Sequence, residues 1–333
     1  MFLKKIYNDT DTLVDEAMEG NRLLYPSGFS EVIPGTRITI RTPAYRKPQG
    51  LVKLVGGGGA GHEGPGAGRV GPGGSDCAVR GDVFAAPSGA LIFKGMQAID
   101  DGSPMFVNVT NHTGDVLNFG FACQMAEAKG MKVHMHLSYN DVGSAPKGRE
   151  KDRRGIGGCY SVTSTMAECG EPIEEIVRLA EKTNEYTRTY GVGIRSAIHP
   201  VTGLPIMEMP EDMIELGIGV HGESSGNRVP LPRSRDLAAL VVDTILADMP
   251  VERGEEICLN LGGLGGLTWM EIYILYKDIY YYLADKGIKL YQARAGNSGT
   301  QELGGFILSI ARIDDEIKKW IHTKIPEGMY PTH

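Results

Sequence analysis

Three polar residues of the 333-residue chain have side chains suited to catalysis, and each stands beside a glycine: His62, Asp115 and His221. A neutral imidazole can act as a nucleophile or carry a proton, and a carboxylate can act as a general base. Singly, each has a structural explanation: a loop histidine with satisfied hydrogen bonds, a first-turn carboxylate favoured by the helix dipole, and a strand-end histidine bonded to a backbone carbonyl. Because all three are predicted at the ends of elements, we interpret them as one functional set.

A metal centre is the generic alternative for two histidines and a carboxylate. The spacing does not exclude it, but nothing in the sequence resembles a helical H-x-x-x-H pair, and we predict no metal site. His134 and His136 alternate along a predicted strand and share one face, which is more typical of sheet packing than of a ligand pair.

Eleven glycines lie between Gly56 and Gly74, in a segment that we expect to be a loop almost without side chains. Glycine loses the most conformational freedom on folding, so the tract has a cost that close approach of a ligand would justify. Gly66 to Gly71 fits G-x-G-x-x-G, but Pro65 precedes it and Pro72 follows it. Neither a strand nor a helix flanks the match, so we reject a dinucleotide site.

The elements around these residues predict an α/β fold. A buried strand at Leu51 to Val55 leads into the tract, and a strand, helix, strand alternation follows over Met105 to Val109, Asp115 to Ala128 and Val133 to Leu137. Open parallel sheets bind ligands outside the carboxyl ends of their strands. We therefore expect His62 and Asp115 to line one crevice with His221.

The second half repeats the pattern. We predict a strand at Leu216 to Val220 that ends at His221, a surface loop at Asn140 to Gly158, and a helix from Trp269 to Ala284 capped by Thr268. A boundary near residue 190 divides the chain into an N-terminal α/β domain, 1–190, with the glycine-rich loop, and a C-terminal α/β domain, 191–333, with His221. Each domain is expected to hold a mostly parallel or mixed sheet flanked by helices.

Composition narrows the class of protein. The net charge of −7 argues against a nucleic-acid partner, which would need a basic face. The five cysteines include no C-x-x-C pair, as expected for reduced thiols in a cytoplasm. The N-terminal segment turns acidic before any apolar run, and no apolar run approaches 18 residues, so we expect neither a signal peptide nor a membrane span.

Six motifs, in this order along nearly the whole chain, resemble the dihydroxyacetone-binding subunit of dihydroxyacetone kinases, DhaK. They are GGGGAGHE (56–63), GDVFAAPS (81–88), NHTGDVLNF (111–119), RRGIGG (153–158), ELGIGVHGE (215–223) and ELGGFILSIARIDDE (302–316).

The resemblance implies a homodimer of two-domain subunits and a substrate held covalently. His221 would add through a ring nitrogen to the carbon of a small hydroxyketone and form a hemiaminal. Asp115 would take the hydroxyl proton during phosphoryl transfer, and His62 would hydrogen-bond the substrate and assist proton transfer. The backbone at Gly59 and Gly61 would contact the substrate.

The resemblance also implies that the nucleotide lies elsewhere, because the chain has no D-x-D-x-G-x-N run. This chain would bind no cofactor itself, and ATP or ADP with Mg²⁺ would sit on a helical, DhaL-like partner subunit. A phosphohistidine carrier of the sugar phosphotransferase system is the other phosphoryl donor that the family uses.

Four residues depart from the family pattern. Ala86 replaces a serine, Thr110 replaces a lysine, and Arg69 and His112 introduce new donors, His112 at the tyrosine position of K-N-Y-T-G-D. Our hypothesis is a substrate pocket altered for a longer ketose such as erythrulose, or for an anionic carbonyl compound. Two further alternatives stay open: a non-catalytic, ligand-sensing DhaK paralogue, and an enzyme that uses histidine capture for a different reaction.

Overall fold

The computed structural model of the chain describes residues 5–24, 28–62, 70–159, 161–297, 299–326 and 329–330. Two sheets of six strands each, flanked by helices, confirm the predicted α/β class. The strands are β1 (Ser30–Val32), β2 (Ile38–Arg41), β3 (Lys53–Ala60), β4 (Cys77–Val83), β5 (Met105–Thr110), β6 (Val133–Ser138), β7 (Thr187–Arg195), β8 (Met213–Leu216), β9 (Asn227–Pro230), β10 (Glu256–Gly263), β11 (Lys289–Asn297) and β12 (Gly304–Arg312). The helices are α1 (Leu13–Leu24), α2 (Gly89–Ile99), α3 (Thr113–Glu127), α4 (Thr163–Glu168), α5 (Ile173–Glu185), α6 (Ser234–Asp248), α7 (Trp269–Asp285) and α8 (Asp315–His322).

The N-terminal sheet has the order β1-β2-β4-β3-β5-β6 and is parallel from β4 to β6, with β2 and β1 antiparallel at one edge. Neighbouring apolar residues of its strands point to opposite faces. Val55 packs with α2 and α3, whereas Leu54 packs with α4, α5 and α8. Helices on both faces are what a parallel sheet requires, because both of its sides must be buried.

The C-terminal sheet has the order β11-β10-β12-β7-β8-β9, and only β10 and β11 are parallel within it. The apolar faces of α6 and α7 pack on it through residues such as Val241, Ile245 and Ile279. Thr268 caps α7 in a reciprocal capping box with Glu271, and this confirms the start predicted for that helix.

The glycine tract differs from the prediction. Gly56 to Gly59 are not a loop but the second half of β3, where they continue the ladder with β4. A Cβ atom on Gly57 would lie 2.2 Å from the carbonyl oxygen of Val79, so only glycine allows the two strands to lie this close. Glycine is needed here because β3 and β4 could not pair if a side chain stood between them. The number of glycines in the sequence did not reveal this role.

The loop predicted at the surface between Asn140 and Gly158 is partly buried. Arg153 is 1% exposed and forms a bidentate ion pair with Asp248, and Asp141 is fully buried. The charged residues of this polar segment suggested that it is exposed to solvent. Their partners lie on elements distant in the chain, which the sequence pattern does not reveal.

The two sheets do not divide the chain cleanly near residue 190. β7 already belongs to the C-terminal sheet and begins at Thr187. Trp320 of α8 returns to the N-terminal sheet and packs against Phe106. Among the helices of the described ranges, none is both long and apolar enough to cross a membrane.

Candidate functional site

Asp115 lies in the first turn of α3, immediately beyond the carboxyl end of β5. It is 9% exposed, and its Oδ1 atom is buried without a hydrogen-bond partner in the described part of the protein. Burial raises the pKa of Asp115 above its ordinary value, against the smaller opposing influence of His112 and His221. A buried carboxylate oxygen without a hydrogen-bond partner lowers the stability of the fold. Such an oxygen can accept a proton from a substrate, as a general base does.

The glycine strand lies against this carboxylate. A Cβ atom on Gly58 would stand 3.7 Å from Oδ1 of Asp115, so the bare backbone of β3 faces the acid. Gly61 follows the strand with a φ of +95°, where a side chain would be strained and would meet Phe84. His62 comes next and is the last residue described before the gap at 63–69.

His221 lies in a tight turn after β8, and not at a strand end as predicted, because β8 stops at Leu216. Gly217 and Gly222 have φ values of +82° and +84° and allow the chain to reverse. The backbone N–H of Gly222 donates to the carbonyl of Gly219 at 3.1 Å. The turn projects the imidazole of His221 away from the sheet, towards the N-terminal half of the chain.

Glu223 holds the ring of His221. The Nδ1 atom of His221 lies 2.9 Å from Oε1 of Glu223, and the backbone N–H of His221 donates to Oε2 at 2.9 Å. Since a carboxylate only accepts, the tautomer inferred from this contact carries its proton on Nδ1. Nε2 is then left with its lone pair, which is the form that a nucleophilic imidazole needs.

The same oxygen of Glu223 faces a second histidine. Nδ1 of His112 lies 3.4 Å from Oε1, while Nε2 of His112 donates to the carbonyl of Gly155 at 3.0 Å. Burial pulls the pKa of His112 down, but the hydrogen bond and charge of Glu223 outweigh it and leave that pKa raised. Burial opposes ionisation of Glu223 too, yet hydrogen bonds from His112 and His221 hold the pKa of its carboxyl far below the usual range.

Three aromatic rings pack around His221, and a fourth packs on one of the three. The ring centroids of His62, His112 and Phe84 lie 5.0, 5.1 and 5.5 Å from that of His221, and His199 packs on Phe84 at 5.4 Å. Phe84 has a φ of +56°, a strained conformation for a bulky residue. Strain of this kind persists where the surroundings over-determine it, and it clusters at functional sites.

Contacts between the two halves of the chain hold the site together. The carbonyl of Gly61 accepts hydrogen bonds from the backbone N–H of Gln301 at 3.2 Å and from its Nε2 at 3.0 Å. The hydroxyl of Thr300, which is fully buried, donates to the carbonyl of Val220. The turn before β12 therefore ties the end of the glycine strand to the turn that carries His221.

Arg154 supports the carboxylate from behind. Its guanidinium pairs with Asp141 at 2.8 Å, donates to the carbonyl of Gly217 at 3.1 Å, and reaches Oε2 of Glu223 at 4.0 Å. Burial raises the pKa of Asp141 to about 6, and Arg154 opposes that rise. The loop that was expected at the surface thus supplies the positive charge behind Glu223.

The structure shows fewer contacts between the remaining predicted residues and the side chains of His221 and Asp115. Ala86 lies beside the start of α3, where a Cβ atom on Gly114 would stand 3.4 Å from its methyl group. Thr110 ends β5 and accepts, through its carbonyl, the N–H of His112 at 2.7 Å. The carbonyl of Gly59 accepts from Arg80 at 3.3 Å. Arg69 lies outside the described residues.

A family model described as the Dak1 domain matches residues 24–327 of the chain, which includes every element that builds this site. The chain belongs to the Dak1 family. The DhaK resemblance inferred from the six motifs is thereby confirmed.

Relatives with assigned activities match nearly the whole length of this chain. The chain is 34% identical over 325 residues to a protein of Listeria innocua serovar 6a named PTS-dependent dihydroxyacetone kinase 1, dihydroxyacetone-binding subunit DhaK, with 96% of each chain covered. It is 31% identical to the D-erythrulose kinase of Mycolicibacterium smegmatis, and this match covers 96% of the present chain but 55% of that enzyme.

A solved structure of another protein shares the fold. The structure described as the dihydroxyacetone kinase operon co-activator Dha-DhaQ superposes with a TM-score of 0.82 at 26% identity, covering 92% of this chain and 93% of that one. One fold therefore occurs in proteins named as kinase subunits and in a protein named as a co-activator, so the fold alone does not assign a function.

Sequence reasoning missed two residues of the site, Glu223 and Phe84. Both stood within motifs that carried the family resemblance, V-H-G-E and G-D-V-F. The signal for Glu223 was its position two residues after the histidine, within reach of Nδ1. No local signal identified Phe84, since its role depends on a strained backbone and on rings from three other segments.

Proposed function

We propose that this Dak1 protein is the substrate-binding subunit of a hydroxyketone kinase and captures its substrate on Nε2 of His221. The observation that carries the proposal is the 2.9 Å contact between Nδ1 of His221 and Glu223, which leaves the lone pair on Nε2. The similarity to a protein named as a dihydroxyacetone-binding subunit supports the choice of a small hydroxyketone.

Capture is an addition to the carbonyl group. The Nε2 lone pair forms a bond to the carbonyl carbon, and the electron pair of the C=O π bond moves to oxygen. The ring becomes positively charged, so its Nδ1 proton passes towards Glu223, and the alkoxide takes up a proton. His62, whose ring lies 5.0 Å from that of His221, is our candidate for the group that delivers it.

Asp115 fits the role of general base. Its buried Oδ1 atom, without a partner among the described residues, can accept the proton of a substrate hydroxyl as that oxygen attacks phosphorus. General-base assistance of this kind contributes about 10²–10⁴-fold to a rate. A polyol such as glycerol offers hydroxyl groups but no carbonyl carbon, so capture would exclude it before this step.

The phosphoryl group would come from another protein. We propose a helical nucleotide-binding subunit that carries ADP or ATP with Mg²⁺, fed by ATP or by a phosphohistidine carrier. The relative described as PTS-dependent supports the carrier for this chain.

The test follows the carbonyl carbon. With carbon-13-labelled dihydroxyacetone, we expect the ketone resonance to be replaced by that of a tetrahedral carbon in the wild type and in Asp115→Asn, but not in His221→Ala. Addition of a helical partner and phosphoryl donor should give product with the wild type and about 10²–10⁴-fold less with Asp115→Asn. His134→Ala, which changes a histidine on β6, is the matched control.

Two outcomes would overturn the proposal. A tetrahedral adduct in His221→Ala would rule out covalent capture by that residue. Full phosphoryl transfer by Asp115→Asn would remove Asp115 from its role as base.

A longer ketose is the second candidate substrate. Ala86 lies at the start of α3 close to Asp115, and it has a methyl group where the family pattern has a serine hydroxyl. The serine hydroxyl that would contact a three-carbon ketone is therefore missing, and the relative named D-erythrulose kinase favours a longer ketose. An anionic substrate would depend on Arg69, because both nitrogens of His112 already face acceptors. Tighter adduct formation with erythrulose than with dihydroxyacetone would decide for the longer ketose.

A sensor is another candidate, and the similarity to a co-activator favours it. A sensor needs His221 but has no use for a base at Asp115. Adduct formation without phosphoryl transfer, unchanged by Asp115→Asn and in the presence of a competent donor, would favour the sensor over the kinase.

A further inference from the structure

Three potential metal-ligand atoms converge behind the proposed nucleophile. One potential ligand atom each from His112, His221 and Glu223 lies within 4.8 Å of the other two. Nδ1 of each histidine contacts Glu223. The two nitrogens lie 3.4 and 2.9 Å from Oε1 of Glu223. Imidazole and carboxylate are ligands that Zn²⁺ takes at about 2.0–2.2 Å, which places neighbouring ligands of a tetrahedral ion about 3.3 Å apart.

The ligands are already oriented. Nε2 of His112 donates to the carbonyl of Gly155 at 3.0 Å, which turns Nδ1 towards the cluster. A metal-bound histidine almost always donates its other ring N–H in this way. Oε2 of Glu223 accepts the backbone N–H of His221 at 2.9 Å, so the carboxylate is held as well.

The third donor departs from the family pattern. His112 stands where the family pattern K-N-Y-T-G-D has a tyrosine, whereas His221 and Glu223 lie within the shared V-H-G-E motif. A protein with tyrosine at position 112 would offer one histidine and one carboxylate here, which is a poor ligand set for zinc.

We propose that His112, His221 and Glu223 bind a divalent cation of the zinc type, and that this ion inhibits carbonyl capture. A metal bound to Nδ1 of His221 uses the lone pair of that nitrogen. The ring proton must then move to Nε2, and Nε2 loses the lone pair that attacks the carbonyl carbon. The exchange involves no redox change: one N–metal bond forms, and one proton relocates through solvent.

The two halves of the proposal depend on different things. Cation binding rests only on the three donor atoms and their supports. Inhibition rests on the proposed function, because it requires that Nε2 of His221 capture a carbonyl compound. The experiment therefore has one arm for each half.

The first arm measures binding with Co²⁺, whose visible absorption distinguishes a tetrahedral site. We expect the chelator-treated wild type to bind one Co²⁺ with a tetrahedral spectrum that Zn²⁺ abolishes, and His112→Gln to bind at least tenfold more weakly. His136→Gln is the matched control, since His136 faces Glu181 at 3.1 Å in a histidine-carboxylate pair that forms no such cluster among the described residues. Equal Co²⁺ affinity in the wild type and His112→Gln would overturn the site.

The second arm measures adduct formation with labelled dihydroxyacetone, as a ratio with and without Zn²⁺. We expect saturating Zn²⁺ to lower this ratio at least tenfold in the wild type, and His112→Tyr to need much more Zn²⁺ for the same loss. An unchanged ratio in the wild type, with Co²⁺ still bound in the first arm, would overturn inhibition. Absence of any adduct in metal-free protein would overturn the proposed function and with it the inhibition, while the first arm still decides the metal site.

Discussion

Buried charges lie at both ends of the N-terminal sheet, and the two groups differ in how they are paired. At the amino ends of β3 and β4, Arg41 pairs with Asp76 at 3.0 Å and with Glu168 at 2.6 Å, and Lys47 pairs with Asp76 at 2.8 Å. At the carboxyl ends of β3 and β5, Oδ1 of Asp115 has no partner within the described ranges.

The difference separates structural charges from functional ones. When all the hydrogen bonds of a buried ion pair are made, removing one member destabilises the fold, because the other charge is left uncompensated. A buried carboxylate left without a partner lowers stability, and a protein tolerates it where a ligand supplies what is missing. Both groups are buried. What distinguishes Asp115 from the Arg41 cluster is that Oδ1 of Asp115 has no hydrogen-bond partner in the described structure, whereas the charges around Arg41 are paired.

The largest effect is expected at the paired end. Replacing Arg41 by Met leaves Glu168, which is fully buried, without the cation that pairs with it, and leaves Asp76 with Lys47 alone. We expect the free energy of unfolding to fall by about 3–5 kcal/mol, measured by urea denaturation. Arg149→Met, at an exposed ion pair with Asp152, should cost at most about 1 kcal/mol. If both variants lost equally little, burial and pairing would not distinguish these charges.

Glu215 extends the comparison to the C-terminal sheet. Its buried carboxylate accepts hydrogen bonds at both oxygens. Burial alone would raise its pKa, but hydrogen bonds from Ser224, Gly226, Arg228 and Ser225 hold that pKa to about 2, below the ordinary 4.5. Because the folded pKa is lowered, the stabilisation is complete above the unfolded pKa and is lost as pH falls towards 2.

The second prediction follows from that sign. Glu215→Gln should be less stable than the wild type above about pH 5, by on the order of 3 kcal/mol, and the difference should shrink as pH falls towards 2. Urea denaturation across this pH range measures it, with Glu127→Gln on the exposed side of α3 as the control. A difference that stays constant with pH would mean that the charge of Glu215 contributes nothing to stability.

The smallest effect is expected at the unpaired end, and with the opposite sign. Asp115→Asn removes a buried charge whose Oδ1 atom has no hydrogen-bond partner in the described structure, so the variant should be as stable as the wild type or more stable by about 0.5–2 kcal/mol. Thermal unfolding at neutral pH without ligand measures it. A loss of more than about 1 kcal/mol would place Asp115 among the structural charges and end the comparison.

Local patterns predicted the elements where local physics decides. The strand that begins at Met105 and the helix capped by Thr268 were predicted to within a residue, because a short apolar run and a capping box act over a few neighbouring positions. The rule for parallel sheets placed Asp115 just beyond the carboxyl end of a strand, and Asp115 does lie there, in the first turn of the helix after β5.

Long-range partners explain where prediction failed. The glycine tract becomes strand only because β4 lies alongside it, and the segment with Arg153 is buried only because Asp248 lies opposite. His221 was expected at a strand end and lies in a turn, because the glycines that flank it permit positive φ angles. Neither the pairing with β4 nor the contact with Asp248 can be deduced from residues nearby in the chain.

By itself, the sequence determined the fold class, the family and the identity of His62, Asp115 and His221 as candidates, because motifs and periodicities are local properties. The tertiary structure decided what each candidate can do. It brought Glu223 to Nδ1 of His221, which leaves the lone pair on Nε2, and it left Oδ1 of Asp115 without a hydrogen-bond partner among the described residues. Reactivity depends on tautomer, desolvation and distance, and these exist only once segments far apart in the chain have packed together.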